Sequence, residues 1–173
     1  GLDVPAAVEC PIADAPGAAQ QLGFPVAVKI ANESIAHKSD VGGVALSLGS
    51  VDAVAAAAAR MAALGDRVLV ERMVDDAIVE LIVGVVRDPQ FGMALLLGAG
   101  GVLAELMSDT VTLLLPVTRT DIEQALRRLR VWRLVEGYRG RCGDGAAVVS
   151  AIEAVIAFAD AHRDRLEDLD INP

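Results

Sequence analysis

Aromatic side chains are almost missing from this chain: one Trp, one Tyr and three Phe, 3% of 173 residues. A core built on rings is therefore excluded, and aliphatic side chains must supply it. Positive charge is scarce too. Lys and Arg number 15 against 24 Asp and Glu, a formal net charge of −9. That balance leaves no basic stripe for a phosphate backbone and argues against a nucleic-acid partner. A nucleotide bound here would be held locally, against the global field, with a divalent cation as counter-charge.

Cysteine is limited to Cys10 and Cys142, too far apart in sequence to set a disulfide or metal-ligand pattern. Both read as buried or incidental thiols. There is no secretory leader pattern, nor any apolar run of about 18 residues as a membrane span requires, so a cytoplasmic protein without a membrane partner is expected. Aliphatics are plentiful. Hydrophobic residues make up 54%, enough for a core of Ala, Val, Leu and Ile in one domain or two small lobes.

Turn and cap signals divide the chain into two mixed blocks. Val4–Val8 reads as a strand, followed by a helix capped by Asp14 and stopped at Gly23. Strands at Val26–Ile30 and Val44–Leu48 flank a loop. Ser50 caps an alanine-rich helix, Val51–Leu64, and Arg67–Met73 is a further strand. After Asp75-Asp76 come strands Val79–Val86, Met93–Leu97 and Thr110–Leu115. Thr120 with Glu123 reads as a capping box for a helix to about Leu134, and Ala146–His162 has helical apolar spacing. Because strands and helices do not alternate strictly, two α+β lobes are favoured over one doubly wound sheet.

Candidate chemistry concentrates in His37-Lys38-Ser39-Asp40-Val41-Gly42-Gly43-Val44. Lys29 ends the preceding strand, and the loop adds a histidine, a second lysine and two glycines. Adjacent glycines let backbone N–H groups approach an anion, lysine offers a point charge, and imidazole is a nucleophile near neutral pH. The bland alternatives are a hairpin bend and a solvated strand-end lysine. Gly98-Ala99-Gly100-Gly101 with Glu105 is a second glycine-rich turn carrying a carboxylate; it reads as a tight turn or a ligand site, and lacks the third glycine of a dinucleotide fingerprint. Glu71 and Glu80 bracket the junction between blocks, as site residues or as solvated edge glutamates. Asp170 and Asn172 stand two apart on a closing strand, where both would face one way. Oxygen ligands of this kind suit Mg2+, although a helix-end turn gives the same sequence. His162 reads as solvated, and Tyr138-Arg139-Gly140-Arg141 as a phosphate contact or a surface loop.

These segments together resemble the ATP-grasp domain of the ADP-forming acyl-CoA synthetases, relatives of succinyl-CoA synthetase and its beta subunit. The resemblance runs nearly full length: Leu22-Gly23-Phe24-Pro25-Val26 to Lys29, the HKSDVGGV loop, Val70-Glu71-Arg72-Met73-Val74, Glu80–Val85, Arg87–Gly92, Gly98–Glu105, Gly137–Gly140 and Leu169–Pro173. It implies an α+β ATP-grasp fold, two lobes with a nucleotide cleft between them. The first lobe, 1–72, would carry the phosphate loop, and the second, 73–173, would be truncated at its C-terminus.

The implied reaction is acid + CoA + ATP ⇌ acyl-CoA + ADP + phosphate, relayed through phosphohistidine, with ATP/ADP and Mg2+ as cofactors. Lys29, Gly42 and Gly43 would serve nucleotide phosphates, Glu71 and Met73 adenine, and Glu80 the ribose. Asn172 would bind metal, with Glu105 as a further candidate ligand and Asp170 orienting metal or phosphoryl group. His37 would be a second phosphate carrier. The implied partners are the CoA-binding domain and the domain bearing the primary phosphohistidine, in cis or as a separate subunit. The alternative is a non-catalytic nucleotide-binding or docking module.

Overall fold

The computed structural model describes residues 2–32, 34–35, 38–74, 76–101 and 108–171. His37, Glu105 and Asn172 lie outside the described residues. The chain divides into two compact units, Asp3–Asp76 and Ala77–Pro173 with Gly1–Leu2.

The first unit contains β1 (Ala7–Pro11), α1 (Ala15–Leu22), β2 (Val26–Ile30), β3 (Val44–Leu48), α2 (Val51–Arg60) and β4 (Arg67–Arg72). Its antiparallel sheet has the order β1-β4-β2-β3. Alternation puts Val26, Val28 and Ile30 of β2 and Val68 and Val70 of β4 on one face, all fully buried. They pack with Ala15, Ala18 and Ala19 of α1 and Val54, Ala58 and Met61 of the second helical stretch. The helices present mainly alanine, so the strands supply the bulk of that core.

Ser50 caps α2 as expected: its backbone is extended and its Oγ accepts the Ala53 N–H at 3.2 Å. The helix is shorter than the expected Val51–Leu64, because Met61–Ala63 tightens into a 3-10 turn. Asp14 precedes α1 without a side-chain cap bond; Ile12–Asp14 is itself a 3-10 turn, and Pro16 opens the helix. The first strand lies later than Val4–Val8, since pairing with β4 runs from Ala7↔Glu71 to Pro11↔Arg67.

The second unit contains β5 (Leu81–Asp88), β6 (Gly92–Ala99), β7 (Thr110–Leu114), α3 (Arg119–Arg128), α4 (Trp132–Gly137), α5 (Gly145–Ala161) and β8 (Asp168–Ile171). Its antiparallel sheet has the order β7-β6-β5-β8. Val85, Leu95, Leu97 and Val111 form the covered face and pack in one core with Ile122, Leu126, Trp132, Ile152 and Val155 from the helices. Asp88 organises the β5–β6 turn: its Oδ1 accepts the N–H groups of Gln90 and Phe91 at 2.8 and 2.9 Å. Among the described residues no helix is long and apolar enough to cross a membrane.

The capping box after β7 is Thr118 with Asp121, not Thr120 with Glu123. Thr118 has the extended backbone a cap requires, whereas Thr120 is already helical. Nor does one helix reach Leu134. Leu129 turns extended, and the buried Asp109 accepts the N–H groups of Arg130 at 3.0 Å and Val131 at 2.9 Å. Those two donors are held by a carboxylate from a distant segment, so the helical layer breaks there and restarts as α4.

Hydrogen bonds from the Thr118 hydroxyl and the Thr118 N–H hold the Asp121 carboxyl below the ordinary carboxylate range. A lowered folded-state pKa adds stability that is full above the unfolded pKa, roughly 4, and is lost as pH falls through the folded value. Urea unfolding of wild type and Asp121→Asn between pH 6 and 3 should show a constant stability difference above pH ~4 that shrinks below it. A difference independent of pH would refute the role of the charged cap.

Candidate functional site

Each sheet keeps one face free of its helical layer, and Lys29, Glu71 and Asp170 fall on these faces. In the first unit, strand register lines up Glu9, Leu69 and Lys29 in one row and Ala7, Glu71 and Ala27 in the next. Lys29 Nζ and Glu71 Oε2 are diagonal neighbours 2.8 Å apart, with side chains 37% and 24% exposed. Glu71 belongs to an internal strand and is half-buried, so it is not a solvated edge glutamate. The ammonium of Lys29 is likewise held against the sheet rather than extended into water. A partly exposed pair of this kind stabilises the fold by about 1 kcal/mol or less, so its main structural effect is to fix where the ammonium points.

Glu9 forms a second pair on this face, its Oε1 2.6 Å from Arg67 Nε. That hydrogen bond raises the Arg67 pKa further above its already high value. On the reverse face the thiol of Cys10 is buried, and burial followed by the nearby Asp14 carboxylate pushes its pKa up. Cys142 is free and exposed, the incidental rather than the buried thiol of the two alternatives.

The loop between β2 and β3 closes back on β2. The Gly43 N–H donates to the Lys38 carbonyl at 2.7 Å, and the Ile30 N–H donates to the Gly43 carbonyl at 2.8 Å. The Gly42 N–H donates to the Ser39 carbonyl at 3.2 Å. Both glycine amides are therefore engaged within the loop. A Cβ at Gly43 would stand 2.7 Å from Ile30 Cγ2 and 2.9 Å from the Lys38 carbonyl oxygen. Gly42 has open space around it but φ is +73°. Beside the loop lies an open cleft of about 370 Å3 lined by Glu9, Lys29, Asn32, Lys38 and Leu69.

Met73 follows β4. Its N–H donates to Pro25 O at 3.0 Å, and its sulfur accepts the N–H of Ser47, a non-glycine residue at φ 56°. It lines a shallow hollow of about 310 Å3 with Pro5, Arg72 and Val74.

In the second unit, Asp170, Gly84, Leu96 and Thr112 form one row across the face opposite the core. Asp170 is exposed, and a Cβ at Gly84 would lie 2.7 Å from Asp170 Oδ1, so the missing side chain makes room for the carboxylate. Glu80 precedes β5 and its carboxylate lies against Gly101, whose φ is +59°. The Gly100 N–H donates to the Glu80 carbonyl at 2.8 Å. Gly98 and Ala99 thus end β6, and the backbone at Gly100 and Gly101 lies against Glu80.

No group of three or more His, Cys, Asp and Glu that could hold a metal occurs among the described residues. Mg2+ does not need one: one or two protein carboxylates suffice when substrate phosphates and water complete the shell. An exposed Asp170 facing open space fits that requirement. The most apolar hollow, about 310 Å3 and lined by Leu2, Val155, Phe158, Leu169 and Ile171, sits on the reverse side of β8 and contains none of these groups.

One sequence reading changes. His162 is half-buried rather than solvated, stacking on Phe158 at 4.1 Å with Nδ1 2.8 Å from the Phe158 carbonyl oxygen. Tyr138–Arg141 is a tight turn closed by reciprocal backbone bonds, with the Arg139 guanidinium 5.3 Å from the Tyr138 ring centroid. The Glu9–Arg67 pair and Asp109 were missed, because both depend on contacts between segments remote in sequence.

Residues 4–173 match the ATP-grasp domain family, and the chain belongs to it. It is 38% identical over 158 residues to acetate–CoA ligase (ADP-forming) II of Archaeoglobus fulgidus, covering 90% of this chain and 23% of that protein. It is 30% identical over 165 residues to the beta subunit of acetate–CoA ligase (ADP-forming) II of Pyrococcus furiosus, covering 90% of this chain and 70% of the subunit. The chain thus spans about a quarter of the single-chain ligases and most of the separate subunit. Among solved structures, dinucleotide-forming acetyl-coenzyme A synthetase 1 of Ca. Korarchaeum cryptofilum matches with a TM-score of 0.77 and 32% identity, over 100% of this chain and 78% of that one. That structure holds coenzyme A and Mg-AMPPCP, with its phosphohistidine segment pointing towards the nucleotide-binding site.

The loop glycines make separable predictions. Gly43→Ala should cost about 1–3 kcal/mol of overpacking and speed amide exchange at Ile30, whose N–H bonds to the Gly43 carbonyl. Gly42→Ala should cost about 1–2 kcal/mol through backbone strain alone and leave Ile30 exchange unchanged. Urea unfolding with site-resolved exchange checks both; equal behaviour at Ile30 would contradict the assignment.

Proposed function

We propose that this chain is the nucleotide-binding and phosphoryl-transfer portion of an ADP-forming acyl-CoA synthetase, converting acid, CoA and ATP reversibly to acyl-CoA, ADP and phosphate. The observation carrying this reading is the Lys29–Glu71 pair, an ammonium fixed on the open face of the first sheet beside the closed HKSDVGGV loop. Likeness to the ADP-forming acetate–CoA ligases supports the reaction class.

In this proposal Lys29 binds nucleotide phosphates, and Gly42 and Gly43 serve them by holding the loop against β2. Glu71 and Met73 border the adenine, and Glu80 takes the ribose. Asp170 orients metal or phosphoryl group, with Asn172 and Glu105 as metal ligands. When bound, Mg2+ would supply charge neutralisation for the transferring phosphoryl group. His37 receives the phosphoryl group from a histidine elsewhere in the enzyme and passes it to ADP. Neutral imidazole is a competent nucleophile for this. The CoA-binding and phosphohistidine-bearing parts are partners in cis or on a separate subunit. The setting is the cytoplasm, where ATP and CoA are available.

Calorimetric titration should show Mg·ATP and Mg·ADP binding, with Lys29→Met weakening both by about ten-fold or more, the effect expected for loss of a hydrogen bond to a charged group. Absence of binding up to millimolar nucleotide, in protein shown to be folded, would overturn the reading. In the complete enzyme, His37→Ala should abolish turnover yet leave the nucleotide dissociation constant nearly unchanged. Near-normal acyl-CoA formation by that variant, or rescue of turnover by His37→Asn, would reduce His37 to a positioning group.

A further inference from the structure

We propose that Arg87 is a positioning residue for Asp170: it locks the register of β8 against β5 and so decides which carboxylate stands over Gly84. This rests on the reading of Asp170 above and adds a residue that acts through it.

β8 is a weakly specified strand. It has four residues, pairs with β5 alone and forms an edge of its sheet. Its sequence is Asp168-Leu169-Asp170-Ile171, in which an acid and an aliphatic residue each occur twice. Asp170 stands opposite Gly84, where the missing side chain makes room for its carboxylate. A slip of two residues would put Asp168 in that place. Acids would still line the open face and aliphatics the covered one, because side chains alternate with a period of two. Leu169 packs on the core but is only half-buried, and an isoleucine of equal size stands two residues on. The apolar pattern of the strand therefore reads the same in both registers.

Arg87 breaks that degeneracy. Alternation places it on the covered face of β5 with Val83 and Val85. Its N–H donates to the Glu167 carbonyl at 2.8 Å, and its Nε donates to the Leu166 carbonyl at 3.1 Å. One residue thus holds two successive carbonyls at the entry to β8. A slip of two can remake the backbone bond with another residue, but it carries the Leu166 carbonyl away from Nε. Leu166 is also fixed from behind, since its N–H and that of Arg165 both donate to the His162 carbonyl at 2.9 Å. His162 caps α5, so the clamp ties β8 to the end of that helix as well as to β5.

Stability alone does not account for a guanidinium here. Its Nη2 is buried and has no hydrogen-bond partner among the described residues, and an orphaned buried donor is costly. An apolar side chain of similar length would fill the position without that cost. What it would not provide is the hold on Leu166.

The test compares wild type with Arg87→Met and Arg87→Gln in the whole chain. Methionine removes the Nε donor, whereas the glutamine amide nitrogen stands the same number of bonds from Cα. Both should stay folded, since each also removes the orphaned Nη2. NMR reads the register from the α-proton contact between the opposed residues Gly84 and Asp170. Arg87→Met should weaken that contact and bring up one between Gly84 and Asp168, and Arg87→Gln should restore the wild-type pattern. Calorimetry with ADP, in Mg2+ or in EDTA, reads the consequence. Arg87→Met should weaken Mg·ADP by about ten-fold, the effect of misplacing one charged group, and metal-free ADP by less than about two-fold. In an Asp170→Ala background Arg87→Met should cost nothing further. An intact Gly84–Asp170 contact in Arg87→Met overturns the proposal, and so does a shifted register with unchanged Mg·ADP affinity. A loss that Arg87→Gln does not recover, or that persists in full without the Asp170 carboxylate, overturns it too, as does failure of Arg87→Met to fold. Failure of folded wild type to bind Mg·ADP removes the nucleotide reading itself and this proposal with it.

Discussion

Everything on the open face of the first sheet depends on β4 pairing between β1 and β2. The strand is the last of its unit in sequence, yet it is inserted between the first two. That insertion brings segments around residues 9, 29 and 69 into one row and sets Glu71 diagonal to Lys29. Without it, the unit would have aliphatic strands and scattered charges but no arranged cluster. The reverse face explains why the pairing is stable, since Val68 and Val70 are fully buried there among the valines of β2 and the alanines of α1. One alternation of side chains along β4 serves both ends: odd positions build the site while even positions build the core.

The second sheet reaches an open face by the opposite means. Its working surface is made by leaving side chains out. Gly84 and Gly98 lie on the side turned away from the helices, and both are closely approached, by the Asp170 carboxylate and by Thr110. Two parallel organisations result, one charged and one bare, each backed by an aliphatic core with its own helices.

Much of this was legible from the chain alone. The spans of β2 and β3 were read correctly because short aliphatic runs stand close to breakers, Gly23 and Pro25 before β2 and Asn32 after it, Gly43 and Gly49 on either side of β3. The Ser50 cap was legible because its bond is local. What escaped was whatever required knowledge of a remote partner. Asp109 breaks the helical layer at Leu129 by taking two backbone donors from 21 and 22 residues away, and no local pattern between Thr118 and Leu134 announces it. The capping box was displaced by two residues because Thr120 and Thr118 both offer a hydroxyl, and only backbone conformation decides between them. Glu71 was named as a candidate, but its ion pair with Lys29 is a matter of register. Glu9 and Arg67 drew no notice because each resembles an ordinary surface charge until the strands are aligned.

Asp109 also joins layers that meet chiefly through apolar contact among the described residues. Its carbonyl accepts the Ala99 N–H at the end of β6, while its carboxylate holds the first amides of the α4 region. The protons on Arg130 and Val131 can exchange with water only when that carboxylate lets go. Their protection therefore reports how often that carboxylate contact opens.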